Sequence, residues 1–187
     1  MSPRKRNAAQ TRETMLECAR RRFLAESYDN VGLRDIAGDA GVDVALVGRY
    51  FGSKAQLFQQ VLRGNRQSWL EKTSAAEELP SLLAALSLDP DEPQQRERLD
   101  RLLIILRSAS SPKAAKLVRA AFRRDVLLPL ASLLDGRHAQ SRANLALSIL
   151  LGTTIVHTIM DVSPPRASER KQLEDRLLRI LRVALEE

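Results

Sequence analysis

The sequence has one cysteine in 187 residues, which excludes an internal disulfide and a thiolate metal cage. Glycine and proline number eight each, too few for a collagen-like or low-complexity chain. Aromatic residues make up only 4%, but hydrophobic residues reach 44%, enough to fold and bury a core. No uninterrupted apolar run approaches the roughly 18 residues that cross a bilayer. The nearest candidate, residues 143–160, is interrupted by Asn144, Ser148, Thr153, Thr154, His157 and Thr158, so it reads as a buried helix and not a membrane span. Acids are missing from the first twelve residues, which hold Arg4, Lys5, Arg6 and Arg12, and no apolar run of signal-peptide length precedes Cys18. A cytoplasmic location is expected.

Strand signals are also scarce. No Asn-Gly or Asp-Gly hairpin lies between alternating runs, whereas apolar residues recur at spacings of three and four almost everywhere. The expected fold is all-α, with about nine helices. Thr11 is placed to cap a first helix carrying Met15, Ala19 and Phe23 on one stripe and ending near Glu26. A short helix from Leu33 to Ala40 follows and Gly41 stops it; Asp43 caps the next short helix and Gly52 ends that one. Ser53 and Gln56 have capping-box spacing for a fourth helix with Leu57, Phe58, Val61 and Leu62. Beyond it, Pro80 suits the first turn of a short helix through Leu86, and Leu88 to Gln94 is a turn. Further helices are expected over 96–109, 112–128, 141–160 and 168–185, with breaks at Pro129, Asp135-Gly136 and Pro164-Pro165.

What the sequence does hold is concentrated between Leu33 and Lys54. Two short helices joined by a tight turn at Ala40-Gly41-Val42 make a helix-turn-helix. Ile36, Ala37, Val42, Val47 and Phe51 are expected to pack them against Phe23 and Phe58, leaving Val44, Ala45, Gly48 and Arg49 on the outer side of the second helix. That small, basic face suits a major groove about 12 Å wide. Arg49 is its one long donor, for guanine or for a phosphate, and Val44 and Ala45 offer apolar contact to a thymine methyl. A net charge of +7 permits a polyanionic partner.

Residues Thr11 to Phe58 resemble the N-terminal DNA-binding domain of TetR-family transcriptional regulators. The matching residues are Met15-Leu16, Ala19, Phe23, Glu26, Tyr28, Arg34-Asp35-Ile36-Ala37, Ala40-Gly41-Val42, Tyr50-Phe51, Gly52-Ser53-Lys54 and Leu57-Phe58. The resemblance implies phosphate contacts from Tyr50, from Lys54, from Thr11 or Arg12, and from Arg34. It also implies a DNA-binding domain over 1–54 with Arg4, Lys5 and Arg6 as a basic arm, and an effector-binding and dimerisation domain over 55–187. The chain departs from the pattern in two places: Gly48 stands where many members have an aromatic backbone contact, and Gly32 where a capping Ser or Thr is usual. Gly48 also loosens its helix by about 1 kcal/mol relative to alanine.

The remaining candidates have bland readings beside the sharp ones. Trp69, Phe122, His157 and Met160 either line a ligand cavity or fill ordinary core. His157 has no second ligand at metal spacing, so neither a metal nor a cofactor is expected, and Cys18 reads as a small buried residue. Lys113, Lys116, Arg119 and Arg123 recur along one helix as a solvated face. The last two helices carry more apolar surface than one small domain uses: Leu145, Ile149 and Val156 on one, and Leu173, Leu177, Ile180 and Leu181 on the other. They are expected to pair with their two-fold mates as a four-helix bundle.

The function expected is therefore a ligand-responsive repressor that binds a pseudo-palindromic double-stranded DNA operator as a homodimer and takes a small-molecule effector. The rival is a helical small-molecule-binding dimer that has lost specific DNA binding, suggested by Gly48 and Gly32. No nucleophile-base pair, glycine-rich phosphate loop or metal-ligand cluster supports an enzyme.

Overall fold

The computed structural model describes residues 3–63, 75–88, 95–162 and 166–187. Among them there is no strand, and ten α-helical segments form nine rods. These are α1 (Pro3–Ala25), α2 (Leu33–Asp39), α3 (Val44–Phe51), α4 (Lys54–Arg63), α5 (Leu79–Leu88), α6 (Gln95–Ser108), α7 (Pro112–Phe122), α8 (Leu128–Ala131), α9 (Ala139–Thr154) and α10 (Ala167–Leu185). A π-helical turn, Arg123–Leu127, joins α7 to α8 in one rod, and another, Ile155–Ile159, prolongs α9.

Two expected boundaries move. Thr11 lies inside α1, because Ala8-Ala9-Gln10 before it are good helix formers and carry the helix back to Pro3. Residues 4–6, expected as a basic arm, consequently lie within that helix. Pro129 does not break its rod, because it falls in the first turn of α8, where the π turn has already interrupted the α-pattern and a missing N–H costs little. The expected break at Pro164-Pro165 lies outside the described residues, as do all but the first residue of the turn expected over 88–94.

The chain divides into two compact units, one of residues 1–64 with 97–121, the other of 65–96 with 122–187. α4 and most of α6 and α7 thus pack with the N-terminal helices, a grouping that no local signal in the sequence marks. The core of the first unit is built on Met15, Phe23, Ile36, Leu57 and Phe58, with Ile104 of α6 and Ala114 of α7. Phe58 sits edge-on to Phe23 at 4.8 Å and to Tyr28 at 4.9 Å between ring centroids. Each such aromatic contributes about 1.5–3 kcal/mol by leaving water. Cys18 is buried as expected and accepts a hydrogen bond from Arg21 at 3.2 Å.

In the second unit Leu79 and Leu83 of α5, Leu130 of α8, Leu147 of α9 and Leu181 of α10 form the core. The stretch Ala139–Ile159 is long and apolar enough to cross a membrane, and only 22% of its apolar window is buried, less than a buried helix requires. Its residues Ala143, Ala146 and Leu147 face the core, while Leu145 and Val156 do not. One apolar stripe is used by the chain and the other is left outside.

Candidate nucleic-acid interface

The turn between α2 and α3 is fixed by backbone hydrogen bonds. Val42 N–H donates to Ala37 O at 3.0 Å and Gly41 N–H to Gly38 O at 3.1 Å, the paired closure of a Schellman motif. Gly41 takes φ +65°, a value that a side chain strains. Asp43 then caps α3, its Oδ1 accepting from Ala45 N–H at 2.7 Å. At the start of α2 there is no capping side chain on Gly32, yet its N–H donates to Asp35 Oδ2 at 3.0 Å, so half of a capping box is present.

With both ends fixed, α3 has a definite orientation. Val47 and Phe51 are buried beneath it, and Val44, Ala45 and Arg49 are exposed. Arg49 and Arg34 have no hydrogen bond or ion pair among the described residues. Nothing lies within 4 Å of where a Cβ on Gly48 would be, so the missing aromatic leaves open space beside the recognition helix.

α4 begins where the capping box was expected. Gln56 N–H donates to Ser53 Oγ at 3.2 Å, and Gln56 Oε1 accepts from Ser53 N–H at 2.9 Å. Gly52 turns the chain at φ +75°, and a Cβ there would lie 2.1 Å from that same Gln56 Oε1. Lys54 follows, with its Nζ donating to Asp29 O at 3.3 Å and lying 4.5 Å from the Tyr28 ring centroid. Partial burial holds the Lys54 ammonium below the usual lysine range, with repulsion from Lys113 adding to the effect and Asp29 opposing it.

Like Lys54, two more of the expected phosphate-contact residues have partners within the chain. Arg12 Nη2 donates to Gln60 Oε1, and its guanidinium stands 5.1 Å over the Phe51 ring, so it braces α1 against α3 and α4. Tyr50 is half-buried and packs against the core, its ring 6.4 Å from that of Phe51, and it lines an open groove with Gln56, Gln59, Gln60 and Arg63. Thr11 is half-buried on α1.

The other two sets fare differently. Phe122 is half-buried against the core of the second unit, His157 sits in the π turn with Nδ1 unpartnered among the described residues, and Met160 is 61% exposed. Met160 therefore faces outward, and Trp69 lies outside the described residues. Of the apolar surface expected to pair two chains, Leu145, Val156 and Ile180 are exposed and Ile149 and Leu173 half-buried. Leu177 and Leu181 are instead buried in the chain's own core, because α10 turns that edge of its stripe toward α5 and α9. Val183, 72% exposed, takes their place on the outer edge; its i,i+3 spacing from Ile180 was the available signal.

An exposed, capped second helix over a shared aromatic core defines a helix-turn-helix DNA-binding protein. A family model for the tetracycline repressor-like C-terminal domain matches residues 77–185, and one for bacterial regulatory proteins of the tetR family matches residues 15–61. The chain belongs to the TetR family, whose members are ligand-responsive DNA-binding regulators. Among solved structures it is similar to NalD of Pseudomonas aeruginosa, the secondary repressor of the MexAB-OprM multidrug efflux pump, with 20% identity, a TM-score of 0.68, and coverage of 93% of this chain and 96% of that one. It is similar to GusR of Salmonella enterica, with 16% identity, a TM-score of 0.66 and coverage of 94% and 95%. A complex of SmeT with triclosan gives 21% identity, a TM-score of 0.63 and coverage of 91% of each chain. At these identities the likeness is one of fold. No curated protein sequence matches the chain.

Proposed function

We propose that the chain is a cytoplasmic repressor, without a catalytic step of its own, that binds a pseudo-palindromic operator as a homodimer and releases it on taking up a small-molecule effector. The observation that carries this reading is the exposure of Val44, Ala45 and Arg49 on α3 above buried Val47 and Phe51. In it Arg49 reads a base or holds a phosphate, Val44 and Ala45 meet the groove's apolar features, and Arg34, Lys54, Tyr50 and Thr11 hold the sugar-phosphate backbone. Arg12 serves that surface by fixing Phe51 under it.

Dimerisation is supported by the apolar side chains that α9 and α10 leave outside: Leu145, Val156, Ile180 and Val183 are 41–72% exposed. Two copies would cover them as a four-helix bundle. An effector held in the C-terminal unit changes the separation of the two recognition helices, and because grooves repeat every 34–36 Å, a shift of a few ångströms breaks simultaneous contact. The repressor role of NalD and the triclosan held by SmeT support an organic effector for this chain too.

The test is a mobility-shift titration on the chain's own promoter region against unrelated DNA, at several salt concentrations, with Arg49→Ala alongside. Wild-type protein should prefer the promoter and weaken steeply with salt, and Arg49→Ala should lose the preference. Equal affinity of the wild type for both DNAs would overturn the reading.

A further inference from the structure

α7 has the sequence PKAAKLVRAAF, with three cations and no acid. It packs on the core of the first unit through Ala114, Leu117 and Val118. That packing decides the rest of the helix: Lys113, Lys116 and Arg119 are all exposed, and none has an ion pair among the described residues. We propose that this outer face of α7 is a second phosphate-binding surface, continuous with Lys54, which carries the DNA contact beyond the helix-turn-helix; the proposal rests on the operator-binding reading above.

Continuity comes from Lys54. Its Nζ is fixed by Asp29 O and the Tyr28 ring, at the same aromatic core on which α7 sits. Lys113 lies near enough that its charge helps to hold the Lys54 ammonium below its ordinary range. Two cations that repel in the free protein are both relieved by a polyanion that meets them. Charge complementarity therefore selects a phosphate backbone over an acidic side chain, since one strand offers successive anions to several cations, where a carboxylate offers one. A helix rises 1.5 Å per residue, so each cation is about 4.5 Å further along than the last and turned by about 60°. Contact should fade from Lys113 to Lys116 to Arg119. Such contacts carry no base information and should strengthen binding on any sequence.

The experiment measures the affinity of the full chain for a mixed-sequence duplex by fluorescence anisotropy between 50 and 200 mM salt, comparing wild type with Lys113→Ala, Lys116→Ala, Arg119→Ala and Lys54→Ala. Each lost phosphate contact lowers the slope of log affinity against log salt by about 0.9 per bound protomer. Lys113→Ala is expected to show that loss, so that its affinity falls about 3.5-fold less per bound protomer over this fourfold range of salt. Lys116→Ala should show a smaller loss and Arg119→Ala the smallest; Lys113→Glu should weaken binding further. All three positions are exposed and alanine is the better helix former, so unchanged melting curves are expected and separate the effect from misfolding. A wild-type slope in Lys113→Ala, with a reduced slope in Lys54→Ala, would overturn the proposal alone. A wild-type slope in both, or no binding by the wild type, would overturn the DNA-contact reading beneath it.

Discussion

Arg107 of α6 donates from Nη1 to the carbonyl oxygen of Ala25, the last residue of α1, at 2.8 Å. Six residues earlier on the same helix, Arg101 Nη1 reaches Arg63 O, at the end of α4, at 3.2 Å. Each guanidinium meets the negative end of a helix dipole and satisfies a carbonyl with no partner inside its own helix. α1 and α4 are the helices against which α2 and α3 pack, so α6 holds the frame of the recognition helix. Arg107→Ala should cost about 1 kcal/mol, lowering the melting temperature by about 2–4 °C. The salt slope of DNA binding should be unchanged, since no phosphate contact is removed. A melting curve identical to the wild type's would show that the bond contributes nothing.

Gly48 offers a second measurement. A Cβ there meets nothing within 4 Å, and the residue lies inside α3, where glycine is about 1 kcal/mol worse than alanine. Gly48→Ala should therefore raise the melting temperature by about 2–4 °C in a chain of this size. No gain, or a loss, would mean that α3 is held by packing alone and that its propensity is irrelevant.

Much of the site can be read in the sequence because its signals are local. Gly41, Asp43 and the Ser53–Gln56 pair act on backbone within a few residues, and each does in the structure what its spacing predicts. Thr11 shows the limit of such signals: it is a good cap, but the residues before it form helix more readily than Thr11 ends it. The larger losses are long-range. Nothing near Ile104 or Ala114 says that they complete the core under α3, and nothing near Arg12 says that Gln60 and Phe51 will hold it. In α10 the spacing shows an apolar stripe but not which edge the chain itself buries.

The joint between α1 and α2 should respond to acid. Arg22 grips Asp39 with two bonds, Nε to Oδ2 at 2.5 Å and Nη2 to Oδ1 at 2.7 Å, and hydrogen bonding to Arg22 holds the Asp39 carboxyl below the usual carboxylate range. A depressed folded-state value means that the stabilisation is complete above the unfolded value, about 3.9, and is lost as pH falls through the folded one. Asp39→Asn should thus melt below the wild type at neutral pH, and the two curves should converge as the pH drops under about 3.9. Because the pair is partly exposed, the gap should also shrink with salt. Curves that coincide at neutral pH would remove the pair from any account of the joint.

Ile180 and Leu181 are adjacent in α10 and opposite in fate, 53% and 0% exposed. If two chains associate through α9 and α10, Ile180→Glu places a charge on the shared surface and nowhere in the core. It should yield a folded monomer, with wild-type helicity by circular dichroism and half the mass by sedimentation. Leu181→Ala removes core volume instead, at about 2–5 kcal/mol, and should lower the melting temperature by roughly 4–20 °C. Since dimerisation itself stabilises by mass action, the melting temperature of Ile180→Glu should fall as well, but without the protein-concentration dependence that the dimer shows. An Ile180→Glu chain that still sediments as a dimer would move the interface away from this face and leave its exposed Val183, Val156 and Leu145 uncovered.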